Sequence, residues 1–259
     1  MIRAAALALA TLFAPAAALA QDVCPPPAEI GQVVVPPAPC AGFEASYERV
    51  SRAYPHGVLG DKLEFSTLVV ELGSRTIRHN LPSIRVFEDL HPRVANVDAT
   101  PRAEIIVIES DHTAGSRLVV YAVGTGAGAG LEKLAQTGAL GAAYRWLAPV
   151  GIADFDGDGQ NDIADVETPH LGMTMRIVTL RDGELVELAA GTGYSNHRIG
   201  DAYIQGGVRD CGDGPEAVTA NDEWSEILAT RLEGGALESR VLGRYEGPDS
   251  ITAALDCGG

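Results

Sequence analysis

Asp154-Phe155-Asp156-Gly157-Asp158-Gly159-Gln160-Asn161-Asp162 packs four carboxylates and two glycines into nine residues. Calcium takes about six to eight oxygen ligands, and a D-x-[DN]-x-[DN]-G spacing supplies most of them from one short loop. Asp154, Asp156 and Asp158 hold the first, third and fifth positions, the backbone carbonyl of Gln160 the seventh, and Asp162 the ninth. Gly157 and Gly159 permit the positive φ angles that a tight loop needs. Four carboxylates crowded together without a cation repel one another, so an Asp/Gly turn with no metal is the costlier reading. The expected cofactor is Ca2+, held chiefly for structure.

The surrounding sequence reads as short strands between turns. Leu68-Val69-Val70, Ile105-Ile106-Val107-Ile108, Leu118-Val119-Val120-Tyr121 and Arg176-Ile177-Val178-Thr179-Leu180 are rich in β-branched residues and bounded by Gly, Pro, Asp and Asn. Asp182-Gly183 and Gly234-Gly235 are hairpin signals. Leu131 to Leu140 has room for a helical turn or two, limited by Gly138 and Gly141, and no long amphipathic helix is expected. Asp165 falls at the twelfth loop position, as in helix-flanked calcium loops. Pro149 and Gly151 before the loop, and Pro169 and Gly172 after it, argue instead for flanking strands.

Residues 1–20 read as a signal peptide, with Arg3 as the charged start, Ala4 to Ala14 as the apolar run and Ala18-Leu19-Ala20 as the cleavage site. No other stretch is long and apolar enough for a transmembrane span. Residues 21–46 form a proline-rich arm of extended character, and 47–259 the body. The formal net charge of -16 argues against nucleic acid as a partner. Export to an oxidising compartment, periplasmic or extracellular, makes disulfides of the four cysteines. Of the three pairings open to four cysteines, Cys24–Cys40 and Cys211–Cys257 close the shortest loops.

The aspartate loop has relatives within the chain. Val94-Ala95-Asn96-Val97-Asp98 aligns with Ile152-Ala153-Asp154-Phe155-Asp156, and Glu104 follows Asp98 at the spacing by which Asp162 follows Asp156. Each acid leads into an apolar strand. Asp210 to Glu216 forms a degenerate third copy, and Asp61 ahead of Leu68 to Glu71 a fourth. The copies lie roughly 40 to 60 residues apart, the period of propeller blades. Asn96, Asp98, Thr100 and Glu104 make a weaker metal loop, because Pro101 replaces a glycine and Arg102 brings positive charge.

Ile152 to Leu180 resembles an FG-GAP (VCBS-type) repeat, the calcium-loop unit of the integrin alpha-chain β-propeller. The resemblance weakens over Arg93 to Val123 and is faint around Asp61 and Asp210. It implies an all-β fold, a small propeller of about four to five blades. It also implies that His56, His112, His170 and His197, with Glu109 and Glu167, gather on one face, opposite the calcium loops. Trp146 and Arg198 would lie on that same binding face. The function expected is a non-enzymatic scaffold or recognition module for an envelope protein or glycan. The alternative is a polysaccharide hydrolase or lyase using Glu109, Glu167, His112 and His170, since a Glu–His pair can serve as general acid and base. No G-x-S-x-G, H-E-x-x-H or phosphate-loop motif occurs.

Overall fold

All four of the strand runs named above form strands, because each can bury one or both faces against a neighbouring sheet. The computed structural model describes residues 43–257 apart from Asp61, Ala99, Pro101, Gly126 and Ala127. The segment read as a signal peptide (1–20), most of the segment read as an arm and the expected Cys24–Cys40 bond lie outside the described residues. The described part is all-β, with one short helix.

An eight-stranded sheet contains β1 (Phe43–Ser51), β2 (Glu64–Leu72), β3 (Arg75–Asn80), β4 (Arg85–Phe87), β5 (Arg93–Ala95), β6 (Glu104–Asp111), β7 (Gly115–Val123) and β8 (Leu131–Gln136). β1 opens inside the segment read as the arm. The strands run β1-β2-β4-β6-β7-β8, with β3 paired to β2 and β5 to β6. The second sheet is a four-stranded antiparallel meander of β9 (Leu147–Ala153), β10 (Asp162–Glu167), β11 (Thr174–Arg181) and β12 (Glu184–Thr192). In the third, β15 (Pro215–Asn221) pairs with β13 (Tyr194–Ser195), β14 (Gly207–Asp210) and β16 (Glu226–Glu233), and β16 pairs with β17 (Ala236–Arg244). Asp182 and Gly183 sit at φ 52° and 79° between β11 and β12, the left-handed pair that a two-residue hairpin requires.

The sheets stack face to face. Leu68, Val70 and Ile77 share one buried cluster with Ile105, Val107 and Val119, so strands from the two ends of the eight-stranded sheet contribute to a common core. The other face of the same strands, Ile106, Ile108, Leu118 and Val120, packs on Leu147, Ile163 and Val178 of the second sheet. Ala164, Val166 and Ile177 then pack on Ala217 of the third. Alternate side chains thus serve opposite cores, which is why Ile105 to Ile108 is a continuous apolar run. Among the described residues no sheet closes on itself.

Two local expectations are corrected. Leu131–Gln136 is a strand, not a helical turn, because pairing with β7 buries Ala135 in the core shared with the second sheet. A short helix, α1 (Pro248–Leu255), had no counterpart in the sequence reading. Proline at its start and Asp249 in its first turn suit a helix N-terminus. Ile251 of α1 seals the outer face of the third sheet against Val218, Ala220 and Ile227.

The Cys211–Cys257 bond forms as expected and staples the β14–β15 loop to the chain just past α1. Arg209 donates to the Ala254 carbonyl at 2.5 Å, capping the last turn from the same loop. Replacing both cysteines by serine is expected to cost about 2–4 kcal/mol and to expose α1 to proteolysis. An unchanged melting midpoint would show that α1 holds without its staple.

Candidate metal loop and histidine cluster

The loop from Asp154 to Asp162 joins β9 to β10, between strands as expected. Its shape is held by its own carboxylates. Asp154 accepts from Gly157 N (2.8 Å) and Gly159 N (2.9 Å), Asp156 from Asp158 N (3.1 Å), and Asp158 from Gln160 N (2.9 Å). Gly157 and Gly159 take φ 77° and 91°, as the turn demands. Asp162, 0 % exposed, accepts from Phe155 N (3.0 Å) and Asp156 N (3.3 Å) through Oδ2.

Asp154, Asp156 and Asp162 each present an oxygen within 4.8 Å of the others, the one such acidic or histidine group among the described residues. Asp162 Oδ1 is buried and has no hydrogen-bond partner among them. Burial pushes the Asp162 carboxyl up to about 6, against the pull of the nearby Thr179 hydroxyl and the loop amides. A buried carboxylate oxygen that no donor reaches in good hydrogen-bond geometry, the Thr179 hydroxyl being its one near neighbour of that kind, beside two more carboxylates, is what a bound cation would satisfy.

The two remaining expected ligands sit differently. Asp158 lies outside the group; it and Asp156 face Arg181 at 3.2 and 3.0 Å. The Gln160 side chain turns away to donate to the carbonyls of Leu180 (2.7 Å) and Val97 (3.0 Å), which leaves its backbone carbonyl for the loop. Through Gln160, and through Asn161 donating to Asn96 O at 2.8 Å, the loop is tied to its relative in the first sheet.

Strand register aligns the three loops. Ala95 faces Glu104, Ala153 faces Asp162, and Arg209 faces Glu216. Asp210 is therefore equivalent to Asp154 and Asn96, and the third loop is shorter than the sequence alignment implied. Asp210 accepts from Gly212 N (2.8 Å) and Gly214 N (3.1 Å), much as Asp154 does.

In the loop around Asn96, Glu104 accepts from Val97 N at 2.9 Å, and burial raises its carboxyl to about 7. Asn96 donates to the Thr100 carbonyl, and Asp98 accepts from Thr100 N (2.8 Å). With Asn96 turned inward as a donor, this loop gathers no acidic group. In the third loop Glu216 is ringed by Arg209 (2.9 Å), Arg231 (2.9 Å) and Arg240 (2.8 Å). Burial works to raise its carboxyl, but the hydrogen bonds from these arginines hold it below the usual range.

The histidine face is assembled in part. His56 Nδ1 donates to the buried Glu88 carboxylate at 2.5 Å. His112 stacks on Tyr54, which also touches His56 and Tyr144. His170 and His197 meet at 2.9 Å. Trp146 is 2 % exposed and packs edge-on to His197 while donating to Glu88 O at 2.8 Å, so it joins the two halves of the cluster from inside rather than offering a contact anchor. Arg198 is exposed and lies over Trp224 and Tyr245. Around the histidines, Tyr144, Leu171 and Ile199 are 50 %, 73 % and 77 % exposed.

The two glutamates belong elsewhere. Glu109 accepts from Tyr121 OH at 2.5 Å and pairs with Lys133 and Arg85. Glu167 pairs with Arg176 at 2.8 Å. Strand alternation sends Glu109 to the face opposite Ser110, whose hydroxyl meets Glu88. Glu88 was not singled out in the sequence. The only signal was an acidic pair, Glu88-Asp89, set among apolar residues. Ser110 and Ser116 both bond to Glu88.

Two outcomes follow from the buried acids. A carboxyl raised to about 6 in the folded protein favours folding in its protonated form, and that contribution fades as pH rises through 6. Calcium must displace the same proton. The calcium-induced rise in melting temperature is therefore expected to be large near pH 7.5, with apparent affinity falling about tenfold by pH 5; an equal rise at both would contradict it. At about pH 8, Glu104→Gln is expected to leave stability unchanged or higher. Glu216→Gln, which strands arginines, should cost about 3 kcal/mol. Equal losses in urea unfolding would contradict the distinction.

No protein-family model matches the chain, and no curated protein matches it.

Proposed function

We propose that this is an exported, calcium-binding protein of FG-GAP-like units, stacked as the blades of a small propeller, that serves as a non-enzymatic scaffold or recognition module. The observation that carries the calcium reading is the buried, partnerless Asp162 Oδ1 beside Asp154 and Asp156. A divalent ion there would stabilise the folded state by mass action. Extracellular modules of this kind bind calcium at about 0.1–1 mM. Periplasmic or secreted placement is supported by the leader-like 1–20 segment and the Cys211–Cys257 bond. No helix among the described residues is long and apolar enough to cross a membrane.

Recognition is the reading best supported for the histidine face. Tyr144, Leu171 and Ile199 leave apolar area in water around the half-buried His56, His112 and His170, with His197 buried beneath, the mixture that protein and glycan contacts use. The Glu/His enzyme reading loses its acids, because Glu109 and Glu167 are held in ion pairs.

Calorimetric titration with calcium is expected to give one binding event, lost in Asp156→Asn. Immobilised protein should retain an envelope protein or glycan that a Leu171→Ser/Ile199→Ser variant with an unaltered melting curve does not. Turnover of a polysaccharide, abolished in Glu167→Gln, would replace this reading with the enzymatic one.

A further inference from the structure

The pair His170–His197 lies apart from the aspartate loop and does nothing for it. His170 follows β10 in the turn that Thr168 opens at φ 45°, and His197 follows β13. The two backbones are fixed against each other, since Ser195 Oγ donates to Pro169 O at 2.9 Å. Asn196 donates to the carbonyls of Ala148 and Pro149, and Gln205 N closes the loop by donating to Asn196 O at 2.7 Å. The rings are thus held by rigid backbone, as a built site requires.

Their protons are legible from the partners. His197 Nε2 faces the Asp201 carbonyl at 3.0 Å, an acceptor only, so Nε2 carries the proton and Nδ1 presents its lone pair to His170. An imidazole whose far N–H is held by a backbone carbonyl is oriented as metal-ligating histidines are. His170 Nε2 stands 2.9 Å away, donating its proton to that lone pair. Moving the His170 proton to Nδ1 leaves two lone pairs converging. Two nitrogens on one tetrahedral zinc are about 3.3 Å apart at ordinary bond lengths, so the gap must widen slightly and the rings must turn until both lone pairs meet at one point beside the N–N line.

We propose that His170 and His197 form a second metal site, selective for a borderline divalent transition cation such as zinc. Imidazole nitrogen suits that class, whereas calcium takes oxygen. Water or a donor from the recognised partner would fill the remaining positions from the side of His170, which is half-buried, while His197 lies fully buried behind it. The site does not depend on the calcium reading.

The test is calorimetric titration of the tag-free, metal-stripped protein with zinc chloride near pH 7.5, with calcium present to occupy the aspartate loop. One zinc per chain is expected. His170→Gln, at a half-buried position, should keep its melting temperature and bind zinc at least about tenfold more weakly, while Asp156→Asn should bind zinc as the unaltered chain does. The proposal is overturned if the unaltered chain takes up no zinc, if His170→Gln binds it equally well, or if Asp156→Asn loses it.

Discussion

Each aligned unit buries one carboxylate at the start of a strand, and a charge buried that deeply must be neutralised or protonated. Glu104, Asp162 and Glu216 occupy this place in register, all essentially without exposure. Glu104 and Asp162 do the same local work, accepting from the amide just past the first loop residue. The units differ in what answers the charge. Around Glu104 the carboxyl is held near neutrality by burial. Around Glu216, arginines answer it. Around Asp162, Asp154 and Asp156 converge, Arg181 reaches Asp156 on its outer side, and a cation is the proposed answer to the charge that is left.

The third answer reaches beyond its loop. Arg209 holds Glu216 and also caps α1, and α1 seals the outer face of the last sheet. The Cys211–Cys257 bond closes the same circuit. A loop that has shed its acidic ligands is thereby fixed by covalent and ionic links. The aspartate loop, with no disulfide, relies on its own turns, on Arg181 pairing with Asp156 and Asp158, and on Gln160 and Asn161 reaching the neighbouring unit.

Much of this was legible in the sequence. The strand runs, the Asp182-Gly183 hairpin and the repeated loops follow from β-branched runs, turn chemistry and repeat spacing, while the meeting of His170 and His197 was expected only as part of the histidine face that the family resemblance implied. What was not legible depends on tertiary contact. Leu131–Gln136 carries helix-compatible residues, and only the edge of β7 makes it a strand. Trp146 reads equally as anchor or core until Glu88 is seen accepting its N–H. Glu109 and Glu167 fell in equivalent places along their strands, but the partners that claim them lie on other strands. The two-residue deletion in the third loop hides in an acid spacing that the sequence preserves.

The recognition reading joins these parts: a stiffened loop at one side of the stack, and at another a histidine cluster whose core is rigid and whose rim is apolar. The most direct test of the buried-charge account is a crystal structure grown with calcium, compared with one grown in chelator. The account requires an ion about 2.3–2.6 Å from oxygens of Asp154, Asp156 and Asp162, with Asp162 Oδ1 among its ligands, in the first crystal alone. Density showing no ion, with Oδ1 satisfied by a protein donor in both, would contradict it.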